Sequence, residues 1–189
     1  RIMKGAVICP SRRSFRDLAQ AGARVPVAIR VPLQTNSQSL FESLQWKSPA
    51  VLLESVRPHP VTGRYSVLVG EPEMSFLSRG RAIELTTRHL RERFQADPLE
   101  TLQRLLSQRV CTRVRGFPPF VGGAVGYIGY DAVRFYEKLP SLAEDDLKIP
   151  EMAFLFCNEA LVVDHWKEQL WAIAMASAQW RTSVFEMGL

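Results

Sequence analysis

The run Phe120-Val121-Gly122-Gly123-Ala124-Val125-Gly126-Tyr127-Ile128-Gly129-Tyr130-Asp131, directly after Pro118-Pro119, holds four glycines and two tyrosines in twelve residues. Glycine weakens a strand through lost packing and added chain entropy. A strand that carries several is therefore one that another backbone, a bulge or a ligand approaches closely. At strand period the residues separate into Gly122, Ala124, Gly126 and Ile128 on one side and Gly123, Val125, Tyr127 and Gly129 on the other. One face is nearly bare backbone. A phosphate loop is the rival reading, but the glycines fall as G-G-x-x-G-x-x-G, without the G-x-G-x-x-G order or the terminal Gly-Lys-Ser/Thr of nucleotide loops. The run reads instead as close-packed scaffold, with Tyr127 and Tyr130 as core packing and Asp131 as a cap for a following helix.

A chain of 189 residues that is 47% hydrophobic can build one large core or two small ones. It has no apolar run of about 18 residues, and Arg1 to Pro10 has too short an apolar centre for a signal peptide, so a cytoplasmic location without membrane contact is expected. Cys9, Cys111 and Cys157 are odd in number and widely spaced, with no C-x-x-C and no nearby histidine. That pattern favours neither a disulfide framework nor a zinc site. The net charge of +5 comes mostly from arginines. They are interspersed with acids and apolar residues and form no aromatic-interleaved stripe, which points to a solvated surface and away from a nucleic-acid partner. The start without methionine and the abrupt end at Gly188-Leu189 suggest a piece of something longer.

Local signals alternate between helix and strand. Ser11 or Ser14 can cap a short helix over Phe15, Leu18 and Ala19 that Gly22 ends, and Val25 to Leu33 follows as a strand. Ser37 precedes a second helix over Leu40, Phe41 and Leu44. Ala50 to Val56 and Arg64 to Gly70 read as strands, and Met74 to Ser78 with Arg81 to Thr87 as a hairpin about Arg79-Gly80. Asp97-Pro98-Leu99-Glu100 is a helix start, with an N-cap aspartate and proline at the first helical position. Leu99, Leu102, Leu105, Leu106 and Val110 supply its apolar stripe. Asp131 to Leu139 reads as a short helix and Ser141 to Ile149 as an acidic loop. Met152 to Cys157, Ala160 to Val163 and Gln169 to Ala174 are strands, with Asp164-His165-Trp166-Lys167-Glu168 as ordinary turn chemistry. His59 and His89 are expected at the surface. Hairpin-joined strands with occasional helices indicate an α+β fold of antiparallel sheets with flanking helices.

Three motifs occur in order: Leu52-Leu53-Glu54-Ser55 with Arg64-Tyr65-Ser66, then Gly122 to Asp131, then Val163-Asp164-His165. Together they resemble the N-terminal region of the anthranilate synthase component I (large subunit) and aminodeoxychorismate synthase component I family, over roughly residues 12 to 176. Val133 to Pro140 looks more like the anthranilate branch. The resemblance implies the N-terminal part of that family's β-sandwich fold. It also implies a pocket for L-tryptophan, the feedback inhibitor of anthranilate synthase, at the Leu-Leu-Glu-Ser strand. An amino acid needs an acceptor for its ammonium, a donor or cation for its carboxylate, and apolar walls. Glu54, Ser55 and Arg64, and Leu53 respectively, offer these. Adjacent strand residues point to opposite faces, so Glu54 and Ser55 cannot both serve one pocket by side chain. Without the resemblance, Ser55 reads as bonding its own turn and Arg64 as a surface ion pair with Glu54.

The resemblance also implies what is missing. The family's chorismate ligands and Mg2+ lie in a C-terminal half whose motifs are not found here, and the tryptophan pocket draws its second wall from that half. The expected organisation is thus residues 1–176 as the N-terminal-like domain, 177–189 as a divergent tail left by a truncation or frame change near residue 177, and the catalytic chorismate-binding domain absent. No catalytic residue, metal ligand or cofactor is assigned to this chain. Its expected partners are L-tryptophan, the glutamine amidotransferase subunit (component II) and the C-terminal chorismate-binding domain. The expected function is the regulatory portion of the enzyme that converts chorismate and ammonia to anthranilate and pyruvate in tryptophan biosynthesis. Alternatives are the corresponding part of aminodeoxychorismate synthase in folate synthesis, or a non-catalytic amino-acid-binding or subunit-interaction module.

Overall fold

The computed structural model describes residues 5–19, 23–47, 49–55, 59, 62–140 and 146–177. In chain order the first elements are β1 (Val7–Cys9), α1 (Arg12–Leu18), β2 (Arg24–Pro32), α2 (Ser37–Ser43), β3 (Ala50–Leu53) and β4 (Tyr65–Gly70). There follow β5 (Met74–Arg79), β6 (Ala82–Thr87), β7 (Arg91–Gln95), α3 (Pro98–Ser107), β8 (Gly123–Ile128), a 3-10 helix (Tyr130–Phe135), β9 (Met152–Cys157), β10 (Glu159–Asp164) and β11 (Gln169–Ser177). The described residues thus form antiparallel sheets with a few helices, the α+β class expected. They divide into two units: Arg1–Glu71 with Arg109–Gly123 and Cys157–Leu189, and Pro72–Gln108 with Ala124–Phe156.

The first unit is built on a six-stranded sheet in the order β1-β2-β11-β10-β4-β3. Its centre is the nine-residue pairing of β11 with β2, from Gln169 opposite Pro32 to Ser177 opposite Arg24. Phe15 of α1 and Val25 and Val27 of β2 are buried together with Ala19 and Ala176. Burying a side chain such as Phe15 contributes about 1.5–3 kcal/mol. Ser11 caps α1, its hydroxyl accepting from the Ser14 N–H at 3.2 Å. The expected stop at Gly22 lies outside the described residues, and the C-cap is Ala19. α2 is capped by Asn36, not by Ser37. Asn36 takes the Ser39 N–H at 2.7 Å, which leaves the Ser37 hydroxyl for a partner elsewhere.

The second unit carries a five-stranded sheet in the order β7-β6-β5-β9-β8. The hairpin of β5 and β6 pairs from Met74 opposite Thr87 to Arg79 opposite Ala82. Asp97 caps α3 by accepting from the Leu99 and Glu100 N–H groups, both at 3.0 Å. Leu102 and Leu105 of α3 join Phe76, Ile83, Met152 and Phe156 in the core. The apolar stripe is shorter than expected. α3 ends at Ser107, and Val110 beyond it is 73% exposed.

β8 is an edge strand. A Cβ on Gly126 would run into the Ala153 carbonyl oxygen and the Phe154 Cα of β9, which accounts for glycine at that position. The tyrosines depart from expectation: Tyr127 is 42% and Tyr130 89% exposed, so neither is core packing. Tyr127 lies on a strand with no neighbour on its outer side, and its hydroxyl donates to the Pro150 carbonyl at 3.1 Å. Asp131 does not cap the 3-10 helix, whose N-cap is Gly129 without a side-chain bond. It accepts from Arg134 Nε at 2.8 Å instead.

Candidate functional site

β3 and β4 pair from Ala50 opposite Gly70 to Leu53 opposite Val67. On its other side β4 pairs with β10, placing Tyr65 opposite Asp164 and Ser66 opposite Val163. This register brings the end of β3, the start of β4 and the end of β10 to one end of the six-stranded sheet. β3 is shorter than the expected strand. Pairing stops at Leu53, and Val56 lies outside the described residues.

Arg64 reaches Asp164 through a bidentate pair: Nε donates to Oδ1 at 2.9 Å and Nη2 to Oδ2 at 2.6 Å. The two side chains are 24% and 3% exposed. Lys167 adds its backbone N–H to Oδ1 at 3.2 Å. Burial pushes the Asp164 carboxyl upward, but the Arg64 bonds, the Lys167 N–H and the two nearby positive charges outweigh it and hold the group below the usual aspartate range. The Arg64 guanidinium also lies over the Tyr65 ring, 4.8 Å from its centroid. Burial, followed by the Asp164 charge, raises the Tyr65 phenol.

Beside this pair, buried Ser66 places its hydroxyl 2.6 Å from His165 Nε2. The His165 backbone N–H donates to the Arg64 carbonyl at 2.9 Å. Both Asp164 oxygens accept from Arg64, and among the described residues no hydrogen bond joins them to His165. Ser66 with His165, and Asp164 with Arg64, are therefore two separate pairs and not a hydroxyl–imidazole–carboxylate relay.

The residues singled out from sequence sit around this end in different situations. Leu53 is 49% exposed, Glu54 is exposed and Ser55 is half-buried. Glu54 accepts a hydrogen bond from the Ser37 hydroxyl of α2. Arg64 does not pair with Glu54, the bland partner expected for it, because Asp164 holds it in bidentate geometry. Asp164, His165 and Ser66 read in sequence as ordinary turn and strand residues, and the fold brings them together here. The one sequence signal that could have marked Asp164 is its place directly after Ala160-Leu161-Val162-Val163, where strand alternation continues to a buried face. His59 and His89 are exposed, as expected, and among the described residues no disulfide joins the cysteines.

Among the described residues no helix is long and apolar enough to cross a membrane, and no group of three or more His, Cys, Asp and Glu side chains could hold a metal ion. The family model for chorismate binding enzymes matches residues 50–184, most of the chain. The chain belongs to the chorismate binding enzyme family. Within that family it is 34% identical over 163 residues to anthranilate synthase component 1 of Acetivibrio thermocellus, an alignment covering 85% of this chain and 33% of that protein. It is also 34% identical over 154 residues to aminodeoxychorismate synthase component 1 of Bacillus subtilis, covering 79% of this chain and 32% of that one. The solved structure of anthranilate synthase component I from Streptococcus pneumoniae TIGR4 superposes with a TM-score of 0.53 at 24% identity, over 80% of this chain and 32% of that one. This last likeness establishes the fold. The chain spans about a third of the length of the relatives it matches.

Proposed function

We propose that this chain is the N-terminal, tryptophan-binding regulatory portion of an anthranilate synthase component I. The observation that carries the reading is the 34% identity to an anthranilate synthase component 1 across 85% of the chain. The complete enzyme would convert chorismate and ammonia, the latter delivered by a glutamine amidotransferase subunit, to anthranilate and pyruvate. The magnesium chemistry of that step needs carboxylates that hold the metal, which the family resemblance assigns to the C-terminal half. Bound tryptophan would bias the enzyme toward an inactive arrangement by binding it more tightly than the active one.

The end of the sheet suits an amino acid. Two of the five guanidinium N–H groups of Arg64 are taken by Asp164, which orients the fork and leaves three for a carboxylate. Ser55 offers a hydroxyl, Glu54 an acceptor for the ammonium and Leu53 an exposed apolar wall; β3 ends at Leu53, so strand alternation does not force Glu54 and Ser55 to opposite faces. Titration calorimetry of this chain with L-tryptophan tests the reading. Binding that falls roughly tenfold or more in Ser55→Ala, as for a lost contact to a charged group, is the expected result. Equal binding by the variant would overturn it, as would absence of binding by the full-length protein, which supplies the pocket's second wall.

The identity to aminodeoxychorismate synthase component 1 supports a second reading, in which the same residues serve folate synthesis. Product analysis of the full-length protein on chorismate separates the two, because only the anthranilate route releases pyruvate.

A further inference from the structure

The first unit has a cleft of about 490 Å3 lined by three arginines, Arg30, Arg113 and Arg115, and, among the described residues, by no acidic one. The Ser11 and Ser14 hydroxyls, 2.9 Å apart, border it. One wall is aromatic: the Phe117 and Trp171 ring centroids are 5.4 Å apart at an interplanar angle of 50°, and the Arg30 guanidinium lies 5.3 Å from the Trp171 ring centroid. Trp171 is 4% exposed, and its buried indole N–H has no hydrogen-bond partner among the described residues. Arg64, Arg91, Arg93 and Arg134 each pair with an acid, whereas Arg30, Arg113 and Arg115 have no acid partner among the described residues.

Three like charges around one concavity repel each other and raise the local concentration of anions. Guanidinium forks match the planar or tetrahedral oxygens of carboxylates and phosphates, and an aromatic wall accepts a flat ring. We propose that this cleft binds a small dianion carried on a flat ring, an aromatic dicarboxylate or an aryl phosphate. Its oxyanions lie on Arg113 and Arg115, and its ring lies against half-buried Phe117, which buried Trp171 backs. A ligand with the charge but no ring uses only half of this arrangement, and one with the ring but no charge uses the other half.

The test titrates the full chain with phthalate, phenyl phosphate, inorganic phosphate and the neutral ring compound methyl benzoate. Phthalate or phenyl phosphate should bind saturably and more tightly than inorganic phosphate, with methyl benzoate weakest; whichever ring anion is tighter identifies the carboxylate or phosphate source. Arg113→Gln with Arg115→Gln should weaken the ring anions by roughly tenfold or more, as expected for two charge-assisted contacts. The exposed pair Arg79→Gln with Arg81→Gln should leave binding unchanged. Phe117→Leu should weaken the ring anions while sparing inorganic phosphate. Half-buried Cys9 lines the cleft and half-buried Cys111 does not, so the ring anion should slow iodoacetamide alkylation of Cys9 relative to Cys111. Ser55→Ala should have no effect, which separates this site from the tryptophan reading. Absence of saturable binding, equal loss in both arginine doubles, or an unprotected Cys9 would each overturn the proposal.

Discussion

At the scale of the residue, the 100 positions between Arg64 and Asp164 explain why their pairing is invisible in sequence. Arg64 stands out locally as a cation at the start of a strand, and Asp164 as an acid closing an apolar run. Only the antiparallel register of β4 with β10 makes them partners. The pair sets a pH dependence with a definite sign. An unfolded aspartate titrates near about pH 3.9, and in the fold the Asp164 carboxyl lies lower: burial opposes ionisation, and the Arg64 bonds more than reverse it. The stability it contributes is therefore fully present above the unfolded value and is lost as the pH falls through the lowered folded value. Asp164→Asn should lower the urea midpoint at pH 7, and the gap to the parent chain should narrow below about pH 4, where the unfolded carboxyl begins to bind its proton. A gap of constant size across that range would show that the pair does not contribute through its charge.

Elements were legible where their signals are local. Asp97-Pro98 marks the start of α3 because capping and the proline ring act within one turn. The β5–β6 hairpin follows from alternation around Gly80. β7 is not legible in sequence, since Arg91-Glu92-Arg93-Phe94-Gln95 shows no apolar period. It is an edge strand whose charged side chains face water, with Arg91 and Arg93 both bonded to Glu84. Charge of this kind guards an edge against pairing with another chain. The Arg93 and Arg91 bonds, in that order, hold the Glu84 carboxyl below its usual range. The glycines of β8 were legible as a close approach, but the neighbouring backbone that demands it was not. Gly126→Ala places a methyl against the β9 main chain, 2.7 Å from the Phe154 Cα, where no side chain can swing aside. The expected cost is about 2–3 kcal/mol, at the upper end of overpacking effects, read as a lower urea midpoint with an unchanged slope. A midpoint equal to that of the parent would mean that β8 separates from β9 at little cost.

For the whole molecule, the question is what an apolar sheet face does in a chain spanning about a third of its relatives. In the first unit Ile8 and Ile29 are paired across β1 and β2 and are 43% and 49% exposed. They line a cavity of about 410 Å3 with Trp46 and Leu161. An apolar patch of this kind favours association. The isolated chain should run above its 21.4 kDa in size-exclusion chromatography with light scattering, increasingly so with concentration, and Ile29→Lys should shift it toward the monomer. A monomeric parent chain at all concentrations would exclude self-association through this face. The α+β class, the main helices, most strands and the family are all readable from the chain's local patterns and ordered motifs. Capping, alternation and turn chemistry act over a few residues, and the three ordered motifs are read directly. The fold in three dimensions is what holds Arg64 on Asp164, bonds Glu54 to Ser37, turns Tyr127 and Tyr130 to solvent, and gathers Arg30, Arg113 and Arg115 around one cleft. Each of these depends on strand register and on the packing of segments far apart in the chain, which no local pattern encodes.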